Sequence, residues 1–143
     1  DHALSAATIR YDKPFANVYL AAQKPGQTLA SAEQVIILTI ARTANQGDVY
    51  EETGMKPLRR AEQEKRPKAG ADQRAASLAN PRLLVEPVKA TITLAGNRPF
   101  RVFALDHDGC KPANPVEVPV SSRQFVLDGA KYQTPYYVVE FSR

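Results

Sequence analysis

The sequence has few of the residues that build metal or disulfide sites, with one cysteine and two histidines among 143 residues, and it has no tryptophan. The single thiol, Cys110, excludes an internal disulfide. A zinc site needs three or four clustered ligands, and no such spacing surrounds His2, His107 or Cys110. No nucleophile-elbow motif accompanies His107, which argues against a Ser-His-Asp triad. The residues therefore predict no metal, no cofactor and no catalytic site.

Long apolar runs are absent as well. No run approaches the roughly 20 residues that a membrane helix needs, and no signal-peptide pattern is present. We therefore expect no membrane partner. Because the chain starts at Asp1 rather than at a methionine, we expect it to be a mature or excised piece of a longer protein.

The residues that are present predict strands and loops. Eleven prolines and seven glycines accompany a 43% hydrophobic content, with few helical patterns. The most apolar stretch, residues 33–42, is β-branched and lacks polar alternation, which predicts a central strand covered on both faces. Further strands are predicted at residues 4–11, 15–22, 88–94, 100–105, 116–120, 125–127 and 136–141.

Seven or eight short strands separated by turn signals predict an all-β, antiparallel β-sandwich. At this length, one domain spanning residues 1–143 is expected. Pro119 argues for a sheet-edge position of its strand. In the last strand, alternation directs Tyr137, Val139 and Phe141 inward.

Residues 55–80 form a long charged loop in this prediction. The segment holds seven basic and three acidic residues, an excess equal to the whole chain's net charge of +4. Pro57 and Pro67 limit any helix, so we expect a flexible or partly helical insertion. Because the segment contains no aromatic residue for base stacking, we expect a solvated loop and no binding of nucleic acid.

The sequence Asp106-His-Asp-Gly109 begins like a calcium-binding loop, in which carboxylates alternate. The remaining ligands of such a loop are missing, so a hairpin turn is the favoured interpretation.

Exposed tyrosines give the candidate binding site. Sugar rings stack on flat aromatic faces, and alternation in residues 15–22 predicts that Asn17 and Tyr19 face outward. Tyr11 and Tyr50 are predicted to extend the platform around Tyr19. The alternative is that these tyrosines cap the sheet with their hydroxyls in water.

Several segments together resemble the C-terminal β-sandwich accessory domain of bacterial glycoside hydrolases with a (β/α)-barrel, of the cellulase-like and β-galactosidase-like kinds. They are residues 15–20, 35–47, 83–94, 102–106 and 136–141. Arg42, Asn45 and Gly47 fit the Arg-x-x-Asn-x-Gly turn of that family. Leu84, Val85 and Glu86 match the Leu-Val-Glu sequence that begins the next strand of that family. We predict that the Glu86 carboxylate lies close to the Arg42 guanidinium.

The resemblance implies a non-catalytic module, because the catalytic residues of such enzymes belong to the barrel. Its implied partners are a polysaccharide or oligosaccharide and the barrel of the same polypeptide, in a secreted or periplasmic bacterial enzyme. Two alternatives stay open: a purely structural domain that stabilises the barrel, and a free-standing immunoglobulin-like interaction module. A structural domain would expose an apolar patch on one outer face.

Overall fold

The computed structural model describes residues 2–11, 16–45 and 83–142, so the predicted insertion at 55–80 lies outside the described residues. Seven described strands have five or more residues, in line with the predicted seven or eight. The elements are β1 (His2–Ala3), β2 (Ala7–Tyr11), β3 (Asn17–Ala22), β4 (Gln34–Ile40), β5 (Thr43–Asn45), β6 (Leu83–Val85), β7 (Lys89–Leu94), β8 (Phe100–Ala104), β9 (Glu117–Val118), β10 (Val120–Ser121), β11 (Gln124–Asp128), α1 (Gly129–Tyr132) and β12 (Tyr136–Phe141).

Ten of these strands form two five-stranded antiparallel sheets. Sheet 1 has the order β1–β2–β7–β11–β10, and sheet 2 has the order β3–β4–β12–β8–β9. Both belong to one compact unit, Asp1–Arg42 with Glu86–Arg143. A second unit, Thr43–Val85, contains the antiparallel pair of β5 and β6. The all-β sandwich predicted from the sequence is confirmed, while the single-domain assignment stays a prediction.

The hydrophobic core lies between the two sheets. Each long strand contributes alternate residues to it, as the period of two in strand geometry requires. Tyr137 and Val139 are fully buried, and Phe141 packs against the same core, which confirms the predicted inward face of β12. The other large buried residues of this cluster are Ile9, Val35, Ile37, Ile92, Leu94, Val102, Val118, Phe125 and Leu127.

The prediction that the 33–42 strand is central and covered on both faces is wrong. β4 lies second in sheet 2, and β12 is the middle strand. Val35, Ile37 and Thr39 are buried, but Ile36 and Leu38 on the other face are only half-buried. The strands buried on both faces are β8 and β12, where three or more successive residues are inaccessible. Apolar content alone did not identify which strand is central.

Two predicted strands differ in the structure. Within the segment 4–11 only Ala7–Tyr11 is a strand, because reciprocal backbone hydrogen bonds between Leu4 and Ala7 form the turn of a hairpin in which β1 pairs with β2. The segment 116–120 becomes β9 at the edge of sheet 2 and β10 at the edge of sheet 1, with Pro119 between them. The predicted edge position of Pro119 is confirmed, and the chain changes sheets at that residue.

Candidate functional site

The outer face of sheet 2 carries two of the site residues predicted from the sequence, Asn17 and Tyr19. In β3, Val18 and Leu20 pack against the core, while Asn17 and Tyr19 point to the opposite side. Tyr19 is 56% exposed. The predicted orientation of β3 is therefore confirmed, and more than half of Tyr19 is accessible to solvent.

The strand register places a second tyrosine on the same face. Tyr19 pairs with Leu38 of β4, and Leu38 pairs on its other side with Tyr136 of β12. Directly paired residues project to the same side of a sheet, so Tyr19, Leu38 and Tyr136 form one row across three strands. Asn17 and Ile40 pair in the adjacent row. These five residues are called the aromatic face below.

Tyr136 is a site residue that sequence analysis missed. Its ring is half-buried and packs against an outer cluster of Phe103, Leu105 and Val138. Alternation had already directed Tyr137 inward, and the same alternation directs Tyr136 outward. Its place beside Leu38 depends on the pairing of β12 with β4, which the sequence does not reveal.

The Lys111 side chain covers part of the outer cluster beside the aromatic face. The Lys111 ammonium lies 3.7 Å from the centroid of the Phe103 ring and 2.9 Å from both carboxylate oxygens of Glu140. Glu140 also accepts a hydrogen bond from the Gln34 amide at 3.3 Å. The β8–β9 loop that carries Lys111 is thereby held over the outer cluster, while Tyr19 of β3 and Ile40 of β4 remain exposed.

The edge strand β9 is joined to β8 by an exposed ion pair. The Arg101 Nε donates to Glu117 Oε1 at 2.9 Å. This hydrogen bond lowers the pKa of Glu117 and raises the pKa of Arg101. Both groups therefore remain charged across the ordinary pH range, beside the residues that Lys111 covers.

The predicted contact between Arg42 and Glu86 is confirmed. Arg42 Nε donates to Glu86 Oε2 at 2.9 Å, and Nη2 lies 3.4 Å from Oε1. The Glu86 backbone N–H also donates to the Arg42 carbonyl at 2.9 Å. This pair fixes the backbone where β4 ends, two residues beyond Ile40 of the aromatic face.

The other two predicted platform tyrosines do not join this face among the described residues. Tyr11 lies on β2 in sheet 1, with its side chain on the same side as the buried Ile9, and packs against the core. Tyr50 lies outside the described residues. The candidate site therefore consists of Tyr19 and Asn17 from the prediction, with Leu38, Ile40 and Tyr136 added by the structure.

The outer face of sheet 1 is chemically different. Its cross-strand rows join Thr8, Thr93 and Gln124, and then Arg10, Thr91 and Val126. The Gln124 amide donates to the Thr93 hydroxyl at 3.2 Å. Within the described strands, this face carries no aromatic side chain, so the exposed tyrosines distinguish one side of the sandwich from the other.

The segment Asp106-His-Asp-Gly109 forms a turn, as favoured from the sequence. Asp106 Oδ1 accepts hydrogen bonds from the backbone N–H groups of Asp108 and Cys110, at 3.0 and 2.7 Å. Gly109 has a φ of +75°, which glycine adopts at little cost. In the ranges 2–11, 16–45 and 83–142, no group of three or more His, Cys, Asp or Glu residues is arranged to hold a metal ion.

No family model, curated protein or solved structure matches the chain. The resemblance to glycoside hydrolase accessory domains therefore stays a prediction from the sequence. In the part of the chain that the structure describes, no helix is long and apolar enough to cross a membrane.

Proposed function

We propose that this chain is a non-catalytic, carbohydrate-associated module of a glycoside hydrolase and that it binds a polysaccharide or oligosaccharide through the aromatic face. The row of Tyr19, Leu38 and Tyr136 is the observation that carries the proposal. An exposed tyrosine offers rigid ring area at a low cost in conformational entropy. Asn17 adds an amide that can donate and accept hydrogen bonds to sugar hydroxyls.

The register also favours a ligand longer than one sugar. Tyr19 and Tyr136 are two strands apart, which corresponds to about 10 Å at the usual strand spacing. A single pyranose ring cannot stack on both side chains. A linear glycan that crosses the strands would place different sugar units on the two tyrosines, so we expect oligosaccharides to bind more tightly than monosaccharides.

The partners and location in this proposal follow from the sequence resemblance. The catalytic (β/α)-barrel would belong to the same polypeptide, and the parent enzyme would be secreted or periplasmic because polysaccharides lie outside the cell.

Affinity electrophoresis and calorimetry against β-glucans, mannans, xylans and galactans test the proposal. We expect Tyr19→Ala to weaken binding of the best ligand by about tenfold or more, by analogy with the stacking of nucleic-acid bases, where losing one aromatic ring costs about 1–3 kcal/mol. Val126→Ala, on the outer face of sheet 1, serves as the control and should bind normally. Equal affinities for both variants, or no binding to any glycan at millimolar concentration, would exclude the aromatic face as a sugar site.

The apolar residues of the same face favour a second function, packing on the catalytic barrel without a sugar site. Leu38 is half-buried and Ile40 is 36% exposed. Two neighbouring aliphatic side chains on an outer sheet face are the kind of apolar patch that marks a contact with another domain. Under this alternative, no glycan binds the isolated chain. Deleting the chain from its parent enzyme would then lower the melting temperature and leave polysaccharide binding intact.

A further inference from the structure

A cleft of about 440 Å³ opens between the two sheets at the end of the sandwich remote from α1. Its apolar lining comes from the core-facing side chains of Leu20, Val35, Leu94 and Phe141, together with Leu29 of the β3–β4 loop. This volume falls within the roughly 300–1,000 Å³ of small-molecule sites. The cleft therefore reaches the margin of the hydrophobic core, where Val35 and Leu94 are only 2% and 7% exposed.

Two arginines stand at this cleft with different roles. Arg123 spends all three guanidinium nitrogens on the backbone carbonyls of Leu94, Ala95 and Arg98, at 2.9–3.0 Å. Those bonds hold the β7–β8 loop in position. Arg123 is consequently a structural residue, since each of its guanidinium nitrogens already donates to a backbone carbonyl.

Arg98 is only partly engaged. Its Nη1 donates to the carbonyls of Ala30 and Ala32, at 3.3 and 2.9 Å, and its guanidinium lies 4.6 Å from the Phe141 ring centroid. Its Nε and Nη2 make no hydrogen bond to any residue in the described ranges. Contacts on one side therefore fix the orientation of the guanidinium and leave two N–H-bearing nitrogens for a ligand.

The positive charge of the cleft lining favours an anionic ligand. Its two charged side chains are Arg98 and Arg123, and no carboxylate lies among the described lining residues. A guanidinium edge binds a carboxylate through charge-assisted hydrogen bonds. We propose that the cleft binds a small amphipathic carboxylate, with its apolar body between the sheets and its carboxylate at Arg98. This proposal is independent of glycan binding at the aromatic face.

Octanoate and its neutral counterpart octanamide test the cleft, by calorimetry and by amide chemical shifts of the 143-residue chain. We expect octanoate to bind about tenfold or more tightly than octanamide, because a hydrogen bond between two charged groups is roughly twice as strong as one to a neutral amide. Shifts should concentrate at residues 94–98. Arg98→Gln should abolish the preference for octanoate, whereas Arg101→Gln, on the outer face of sheet 2, should preserve it.

A second variant guards against loss of folding in Arg98→Gln. Asn97 lines the cleft and is exposed, so Asn97→Trp should leave the fold intact while blocking both probes. Failure of octanoate to bind at millimolar concentration would overturn the proposal. So would equal binding of the two probes, or a preference for octanoate that survives in a folded Arg98→Gln variant.

Discussion

Tyr137 is the largest fully buried side chain among the described residues. Its hydroxyl donates to the Thr134 carbonyl at 3.2 Å, and its ring meets Tyr132 edge-on with centroids 6.1 Å apart. Burial raises the pKa of Tyr137 above its usual value. The core therefore holds this phenol in its neutral form and satisfies its one donor.

The raised pKa of Tyr137 predicts a loss of stability in alkali. The unfolded side chain ionises near pH 10, but the folded one resists ionisation. Its contribution to stability is fully present below about pH 10 and is lost as the pH rises toward the higher folded pKa. Tyr137→Phe should cost about 1 kcal/mol at pH 7 through the lost hydrogen bond, and its stability should fall less steeply above pH 10. Urea denaturation of both proteins from pH 8 to 11 measures this, and parallel pH profiles would contradict it.

At the level of residues, local alternation was a good guide to orientation. It directed Tyr19 outward and Tyr137 inward, and both are so placed. The contact between Arg42 and Glu86 was also predictable, because each residue flanks a strand end in a family-like motif. Alternation does not identify the opposing sheet, however, and Tyr11 consequently lies on the inner side of a different sheet from Tyr19.

At the level of elements, the existence of the strands was predictable and their order was not. β4 has the most apolar sequence, yet β12 is the middle strand, with two strands of sheet 2 on either side of it. These pairings join segments about 100 residues apart in the case of β4 and β12. Local pattern carries no information on such partners, since register is set by the surfaces that meet in the folded sheet.

The short helix α1 provides a prediction at the same scale. Asp128 is its N-cap, with Oδ1 accepting from the Lys131 backbone N–H at 3.0 Å. Asp128→Ala should therefore cost about 1 kcal/mol of unfolding free energy. Asp128→Asn keeps an acceptor at the same position, so its cost at neutral pH should be smaller.

The pH dependence of this cap follows from its charge. The hydrogen bond from Lys131 lowers the pKa of Asp128 below its usual value of about 3.9. The resulting stability is present above that usual pKa and is lost as the pH falls through the lower folded pKa. Asp128→Asn should flatten the acid limb of a stability profile measured by thermal unfolding between pH 6 and 2.5. An unchanged acid limb would show that other carboxylates determine it.

At the scale of the whole molecule, the candidate site depends on how three strands come together. The sequence supplied Asn17 and Tyr19 from one strand. Leu38 and Tyr136 joined them only through the registers of β3 with β4 and of β4 with β12. The contrast with the threonine-rich outer face of sheet 1 likewise requires the sheet order. Single strands can be predicted from their own period, whereas a surface assembled across strands requires their partners.

The shared core predicts that the two large sheets unfold together. Leu127 of sheet 1 is fully buried against sheet 2, and its neighbour Val126 is 39% exposed on the outer face. Leu127→Ala should cost about 2–5 kcal/mol, because it removes buried methyl groups and leaves a cavity. Val126→Ala should stay within about 0.5 kcal/mol.

Tyrosine fluorescence and far-ultraviolet circular dichroism distinguish cooperative from stepwise loss of the sheets during urea denaturation. The chain has no tryptophan, so the fluorescence signal includes Tyr137, which lies in sheet 2 and packs in the same core cluster as Leu127. In Leu127→Ala, both signals should shift to lower urea with coincident midpoints, since coincidence is the mark of a two-state transition. If the two midpoints separated, the sheets would not unfold in one cooperative transition, and the shared core would not couple them.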